Sequence, residues 1–190
     1  LHVDTLFTTP VESGGISVSS VSNDFDGQAR SALTPTDIGA DAGNFKEQFA
    51  PSISYALLPD AGLNTVNFSN VLITDAGGVN GSPGTRPRCY YKKKTNTNTY
   101  NDNTSMTNGW KYVEAAGSVS PFNFVIDNSL IFGGAAAGDS IQYFVAAQDL
   151  ISPPNVAINS GTFSSTPSSV NLTSSAFPVG GNINYYVIGI

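Results

Sequence analysis

Asp24, Asp26, Asp37 and Asp41 fall close together near the start of the chain. Two carboxylates about 5–10 Å apart are all that glycoside hydrolysis requires. The same Asp-x-Asp and Asp-Gly spacings serve tight turns, in which the side chain accepts hydrogen bonds from nearby backbone amides. An acid–base pair has to line a cleft, and this stretch has too little chain to build one. The turn reading therefore takes precedence, with Arg30 in a structural role as an ion-pair partner for one of the aspartates. Asp24-x-Asp26 also opens like a calcium loop. Gly27 comes too early for an EF-hand, however, and Pro35 stands where the bidentate Glu belongs. What remains is an irregular, oxygen-ligated calcium site at Asp24, Asp26 or Asp41, and no other cofactor is expected.

Nucleophilic catalysis needs a nucleophile beside a base. The one histidine is His2, no G-x-S-x-G occurs, and Cys89 lies inside an apolar strand pattern, so no catalytic residue is assigned. A single cysteine excludes an internal disulfide, and its position reads as a small buried hydrophobe. No zinc or phosphate-loop pattern is present. Sugar rings stack on aromatic faces, and Trp110, Tyr112, Tyr90 and Tyr100 are the candidates for such a surface. Adjacent residues on a strand point to opposite faces, so Tyr90 and Tyr91 must part company, as must Tyr185 and Tyr186. The plainer reading places Trp110 and one tyrosine of each pair in a core. Tyr143 is expected to be a corner tyrosine, its hydroxyl bonded to backbone upstream.

Apolar residues make up 40% of the 190-residue chain and charged residues only 12%, about half the usual charged share. Ser, Thr, Asn and Gly make up the difference, a composition associated with secreted β proteins. The net charge of −6 argues against nucleic acid, because phosphate contacts need clustered Lys and Arg. The one basic cluster, Arg86, Arg88 and Lys92 to Lys94, reads as a solvated edge strand. No run approaches the ~18 apolar residues of a membrane span. The chain opens on Leu1 rather than Met, which reads as a processed or excised piece. A missing signal peptide therefore carries no weight.

The elements that must position these residues are strands. Helical periodicity is nearly absent, with one turn at most over Asn44 to Phe49. Alternation of period two begins near residue 52. It runs through Ile53, Tyr55 and Leu57, then Val66 and Phe68, and changes parity to Val71 and Ile73, which places a bulge near Ser69–Asn70. Further strands fall at Arg88–Lys94, at Trp110 and Tyr112, at Phe122–Ile126, at Asp139–Leu150 and at Ile183–Ile190. Thr95 to Asn108 is too rich in Asn and Thr to pack. Ser152 to Gly181 reads as an extended loop, with one extra strand around Ala157 to Phe163. About seven short alternating strands without intervening helices predict an all-β, Greek-key sandwich.

Two stretches carry family resemblances. Pro51-Ser52-Ile53-Ser54-Tyr55, Val71-Leu72-Ile73-Thr74-Asp75-Ala76-Gly77-Gly78-Val79, Arg88-Cys89-Tyr90-Tyr91-Lys92 and Gly138-Asp139-Ser140-Ile141-Gln142-Tyr143-Phe144-Val145-Ala146-Ala147-Gln148-Asp149 together resemble the immunoglobulin-like domains of large bacterial surface proteins. Asp24-Phe25-Asp26-Gly27-Gln28-Ala29-Arg30, followed by Asp37-Ile38-Gly39-Ala40-Asp41, resembles the closing segment of right-handed parallel β-helices of secreted proteins. Ala42 departs from that pattern, which has Glu there. These resemblances imply a β-helix tail over residues 1–47 and an immunoglobulin-like, fibronectin-type sandwich over 48–190. They also imply an upstream β-helix domain of the same protein as partner. A lone coil has no neighbour against which to bury Leu1, Val3, Leu6, Ile16 and Val18, so the tail is expected to order only where it docks.

The reading that follows is a non-catalytic spacer or adhesion module of a secreted or cell-surface protein. Its rivals are a carbohydrate-binding module and a fragment of a β-helix lyase or hydrolase.

Overall fold

The computed structural model describes residues 2–30, 36–43 and 45–189, and within them the architecture is almost wholly β. In chain order the strands are β1 (Thr8–Thr9), β2 (Lys46–Glu47), β3 (Ser52–Ser54), β4 (Val66–Thr74) and β5 (Arg88–Lys93). There follow β6 (Lys111–Glu114), β7 (Phe122–Ile126), β8 (Ser140–Gln148), β9 (Val156–Ile158) and β10 (Asn184–Val187). Within Asn44 to Phe49, where the sequence allows one helical turn at most, β2 pairs in parallel with β1, Thr8 opposite Lys46. Asn44 itself lies outside the described residues. No described helix is long and apolar enough to cross a membrane.

Two antiparallel sheets face each other. One has the order β3-β4-β7; the other runs β6-β5-β8-β10, with β9 continuing the β10 edge of β8. Strict alternation makes the first sheet: Phe122, Phe124 and Ile126 are buried while Asn123 and Val125 face out. In β4 the buried parity changes after Phe68, where the register with β7 shifts, so that Val71 and Ile73 continue inward. Asn70 takes the extra turn at φ 60°, a left-handed conformation that Asn tolerates better than most residues. Its N–H donates to Asn123 Oδ1 at 3.1 Å.

Between the sheets the inner faces of β4, β7, β8 and β10 close around Cys89 and Tyr91. Each fully buried large apolar side chain there contributes about 1.5–3 kcal/mol. Cys89 is wholly enclosed, and burial pushes its thiol pKa well above the usual range. Tyr143 reaches across this core, and its hydroxyl accepts the Leu58 N–H at 2.8 Å. The acceptor thus serves the long connection after β3 rather than a corner beside its own strand. Tyr143→Phe would leave that N–H without its partner and is expected to lower stability by about 1–2 kcal/mol in urea unfolding. An unchanged midpoint would show that the bond carries no weight.

The second sheet is buried on both faces, which corrects three expectations. Strand β5 is interior, between β6 and β8, rather than a solvated edge. Arg88 and Lys92 are buried. Arg88 bonds Asn171 Oδ1 at 2.7 Å and lies 4.1 Å above the Tyr112 ring. Lys92 Nζ donates to the carbonyls of Lys93, Lys94 and Asn96, and burial lowers its pKa to about 8. Secondly, the long tract after β8 is a packed layer. Val170, Leu172, Ala176, Phe177 and Val179 cover the outer side of Tyr90, Trp110 and Phe144. Thirdly, the Thr95–Asn108 tract is tied down by its own amides. Asn98 Nδ2 donates to the Val179 carbonyl at 2.8 Å, and Asn103 bonds both the N–H and the carbonyl of Tyr112.

Candidate functional site

The N-terminal aspartates hold backbone together. Asp24 Oδ1 accepts the amides of Asp26 and Gln28 at 2.9 and 2.7 Å, and its Oδ2 accepts that of Ala42 at 3.3 Å. Buried Asp37 accepts the amides of Ser13 and Gly43, both at 2.9 Å. Asp41 accepts that of Val3 at 3.2 Å. Arg30 forms no ion pair with an aspartate among the described residues. Its guanidinium instead donates to the carbonyls of Asp37 and Gly39. Of the three calcium candidates, Asp26 and Asp41 come together beside His2 Nδ1, at 3.4 and 3.5 Å. Asp24 is occupied with its backbone partners. The group contains an exposed imidazole, whereas calcium selects oxygen ligands.

The aromatic surface proposed for sugars is mostly interior. Trp110 and Tyr90 are both 0% exposed, so neither presents a ring face to a ligand; the outer layer hides them. Trp110 packs edge-on against Phe144 at 4.9 Å, and its Nε1–H donates to Asn98 Oδ1 at 2.8 Å. The Tyr90 hydroxyl donates to the Val170 carbonyl at 2.7 Å and accepts the Leu172 N–H at 3.1 Å. Tyr112 and Tyr100 are half-buried against Tyr90. Tyr90 and Tyr91 do point to opposite faces, but each face has its own core. Of the second pair, Tyr186 is buried and Tyr185 is exposed.

A different set of carboxylates converges at the junction of the N-terminal segment with the sandwich. Glu47 ends β2, while Asp75 and Asp149 stand directly after the ends of β4 and β8. One oxygen of each lies within 4.8 Å of the other two. Asp149 is fixed by the amides of Ile151 and Asn155 at 3.2 and 3.0 Å and by Asn155 Nδ2 at 2.7 Å. Glu47 Oε2 and Asp75 Oδ1 are buried without a hydrogen-bond partner. Gly77 passes close to Glu47 Oε2, so a side chain there would push the carboxylate aside. Burial, then the Asp75 charge, raises the Glu47 pKa to about 7. Burial, then the Asp149 charge, raises that of Asp75 to about 6.

No family model, curated protein or solved structure matches this chain.

Geometry alone therefore assigns the roles. The sequence signal for the junction cluster was slight: Asp75 and Asp149 each end a strand-like run, and nothing in their spacing ties them to Glu47. An open depression lined by Ser13, Glu47, Phe49, Ser52, Thr74 and Asp75 lies beside the cluster.

Proposed function

We propose that the chain is a non-catalytic structural module of a secreted or cell-surface protein. In this reading an immunoglobulin-like, Greek-key sandwich (48–190) is joined to the last coil of a parallel β-helix (1–47), and the coil docks on the upstream helix. The observation that carries it is the distribution of bare apolar side chains. Leu6, Phe7, Ile16, Val18, Val21, Phe25 and Ile38 are all exposed, Ile16 at 88% and Phe25 at 83%. Val3 is half-buried, and Leu1 lies outside the described residues. The sandwich encloses two apolar cores and exposes its remaining large apolar residues, such as Leu57, Met106 and Val119, at scattered positions. This short segment leaves seven open between Leu6 and Ile38, as a coil without its neighbour would. Parallel pairing of β1 with β2 supports the coil reading. The division of the strands into β3-β4-β7 and β6-β5-β8-β10, with β9 added beside β8, supports the sandwich type.

The full chain is expected to bind an apolar dye and to self-associate in sedimentation experiments. The triple variant Ile16→Ser, Val18→Ser, Phe25→Ser should lose both properties and keep its unfolding midpoint within about 1 °C, since exposed positions contribute little to stability. Unchanged dye binding in that variant would remove the docking face. Retention of the full chain on insoluble polysaccharide would replace the spacer reading with a carbohydrate-binding one.

A further inference from the structure

Three carboxylates meet where β2 joins the sandwich, and no lysine or arginine among the described residues answers them. Neither Glu47, Asp75 nor Asp149 has a lysine or arginine within salt-bridge distance among the described residues. Glu47 is 2% exposed, and its Oε2 is buried with no hydrogen bond of normal geometry, only the Gly77 backbone N–H approaching the carboxylate. An ionised carboxylate buried in this way is strongly unfavourable. Something else must neutralise it, either a proton or a bound cation.

We propose that Glu47, Asp75 and Asp149 bind one divalent cation of the calcium type, which fastens the N-terminal segment to the ends of β4 and β8. The donor set is oxygen only, as hard cations require. Calcium–oxygen bonds of about 2.3–2.6 Å place ligands on opposite sides of one ion about 4.8 Å apart. The three oxygens lie within 4.8 Å of one another, so a single ion spans them without rearrangement. Magnesium demands near-ideal octahedral geometry and is usually held by only one or two carboxylates, so three carboxylates favour calcium. The Asp149 carboxylate is already oriented by three donors, a supporting shell of the kind that fixes a ligand before the ion arrives. The depression beside Glu47 and Asp75 offers a way in. The ion would bridge three elements that are distant in sequence, and it does so whether or not the N-terminal segment docks on a further coil.

The full chain, stripped with EDTA and titrated with calcium chloride in a calorimeter, is expected to take up one equivalent. A hundredfold excess over the dissociation constant should raise the thermal midpoint by about 5 °C. Glu47→Gln should weaken binding about tenfold or more, and Asp26→Asn should leave it unchanged. Glu47→Gln should also raise the midpoint in EDTA, by removing a repelled charge, and lower it in calcium relative to the parent chain. Absence of calcium uptake at millimolar concentration would overturn the proposal. So would uptake that survives Glu47→Gln but not Asp26→Asn, or a Glu47→Gln midpoint raised equally in both media, the mark of a cluster held by protons. Glu47→Gln is the deciding variant, because Oε2 holds no hydrogen bond of normal geometry whose loss would unfold the chain.

Discussion

Trp110→Ala is expected to lower the unfolding free energy by about 4 kcal/mol, the usual cost of emptying a buried tryptophan site. The indole is wholly enclosed, and it contacts Phe144 at 4.9 Å and Phe177 at 6.2 Å between ring centres. The Lys92 ammonium lies 5.3 Å from its centre. Truncation would also free Asn98 Oδ1, which accepts the indole N–H and the Val179 amide at once. The cost therefore combines lost burial with a loosened clamp between two loops. Because Trp110 is the only tryptophan, denaturant unfolding should be followed by far-ultraviolet circular dichroism rather than by its fluorescence. A loss below about 1 kcal/mol would mean that the outer layer is not packed as described. An exposed, sugar-binding tryptophan would behave in that way, because truncating it costs little stability.

The second large effect concerns pH in the metal-free chain. Glu47 titrates at about 7 in the folded chain against 4.5 as reference, and Asp75 at about 6 against 3.8. Between these limits the folded chain holds protons that the unfolded chain has released, so stability must fall as pH rises. The stabilisation is fully present below about pH 4 and lost by about pH 7.5. With one pKa unit worth about 1.4 kcal/mol, the two units that Glu47 crosses and the one that Asp75 crosses make the expected loss between pH 5 and pH 7.5 about 4 kcal/mol. Burial of Glu47 and Asp75 sets most of it, and the charges of Asp75, Asp149 and Glu12 around Glu47 add to it. Asp102, bonded by Thr107, and Asp139, bonded by Lys93, are held below the ordinary value and act in the opposite sense, only in acid below about pH 4. Urea midpoints in EDTA at the two pH values give the slope. Glu47→Gln should flatten it, and a parent chain indifferent to pH over this range would contradict the crowding.

Much of the inner core could be read in advance because it follows the simplest rule. Phe122, Phe124 and Ile126 alternate with outward residues, and the parity change around Asn70 marks its bulge directly. The outer layer escaped the same reading for a physical reason. Val170, Leu172, Phe177 and Val179 come from a Ser- and Pro-rich tract with no period, so no alternation announces their burial. The signal lay elsewhere, in Cys89-Tyr90-Tyr91 and in Tyr143 to Ala147. Such unbroken apolar runs belong to strands covered on both sides. The same unbroken run marks β5, with its Arg88 and Lys92, as interior rather than an exposed edge. The junction cluster was harder still. Glu47, Asp75 and Asp149 share no spacing, and only the folding of β2 against the ends of β4 and β8 makes them neighbours. Of the four N-terminal aspartates that offered the louder motif, Asp24, Asp37 and Asp41 are spent on backbone amides, and Asp26 stands beside His2.

Cys89, enclosed at the centre of the sandwich with its thiol disfavoured from ionising, has a kinetic meaning. An alkylating reagent reaches a thiolate only after the two sheets have parted. As the chain carries no second cysteine, every labelling event records one such opening. The protein thus holds a single-use stopwatch for its own breathing.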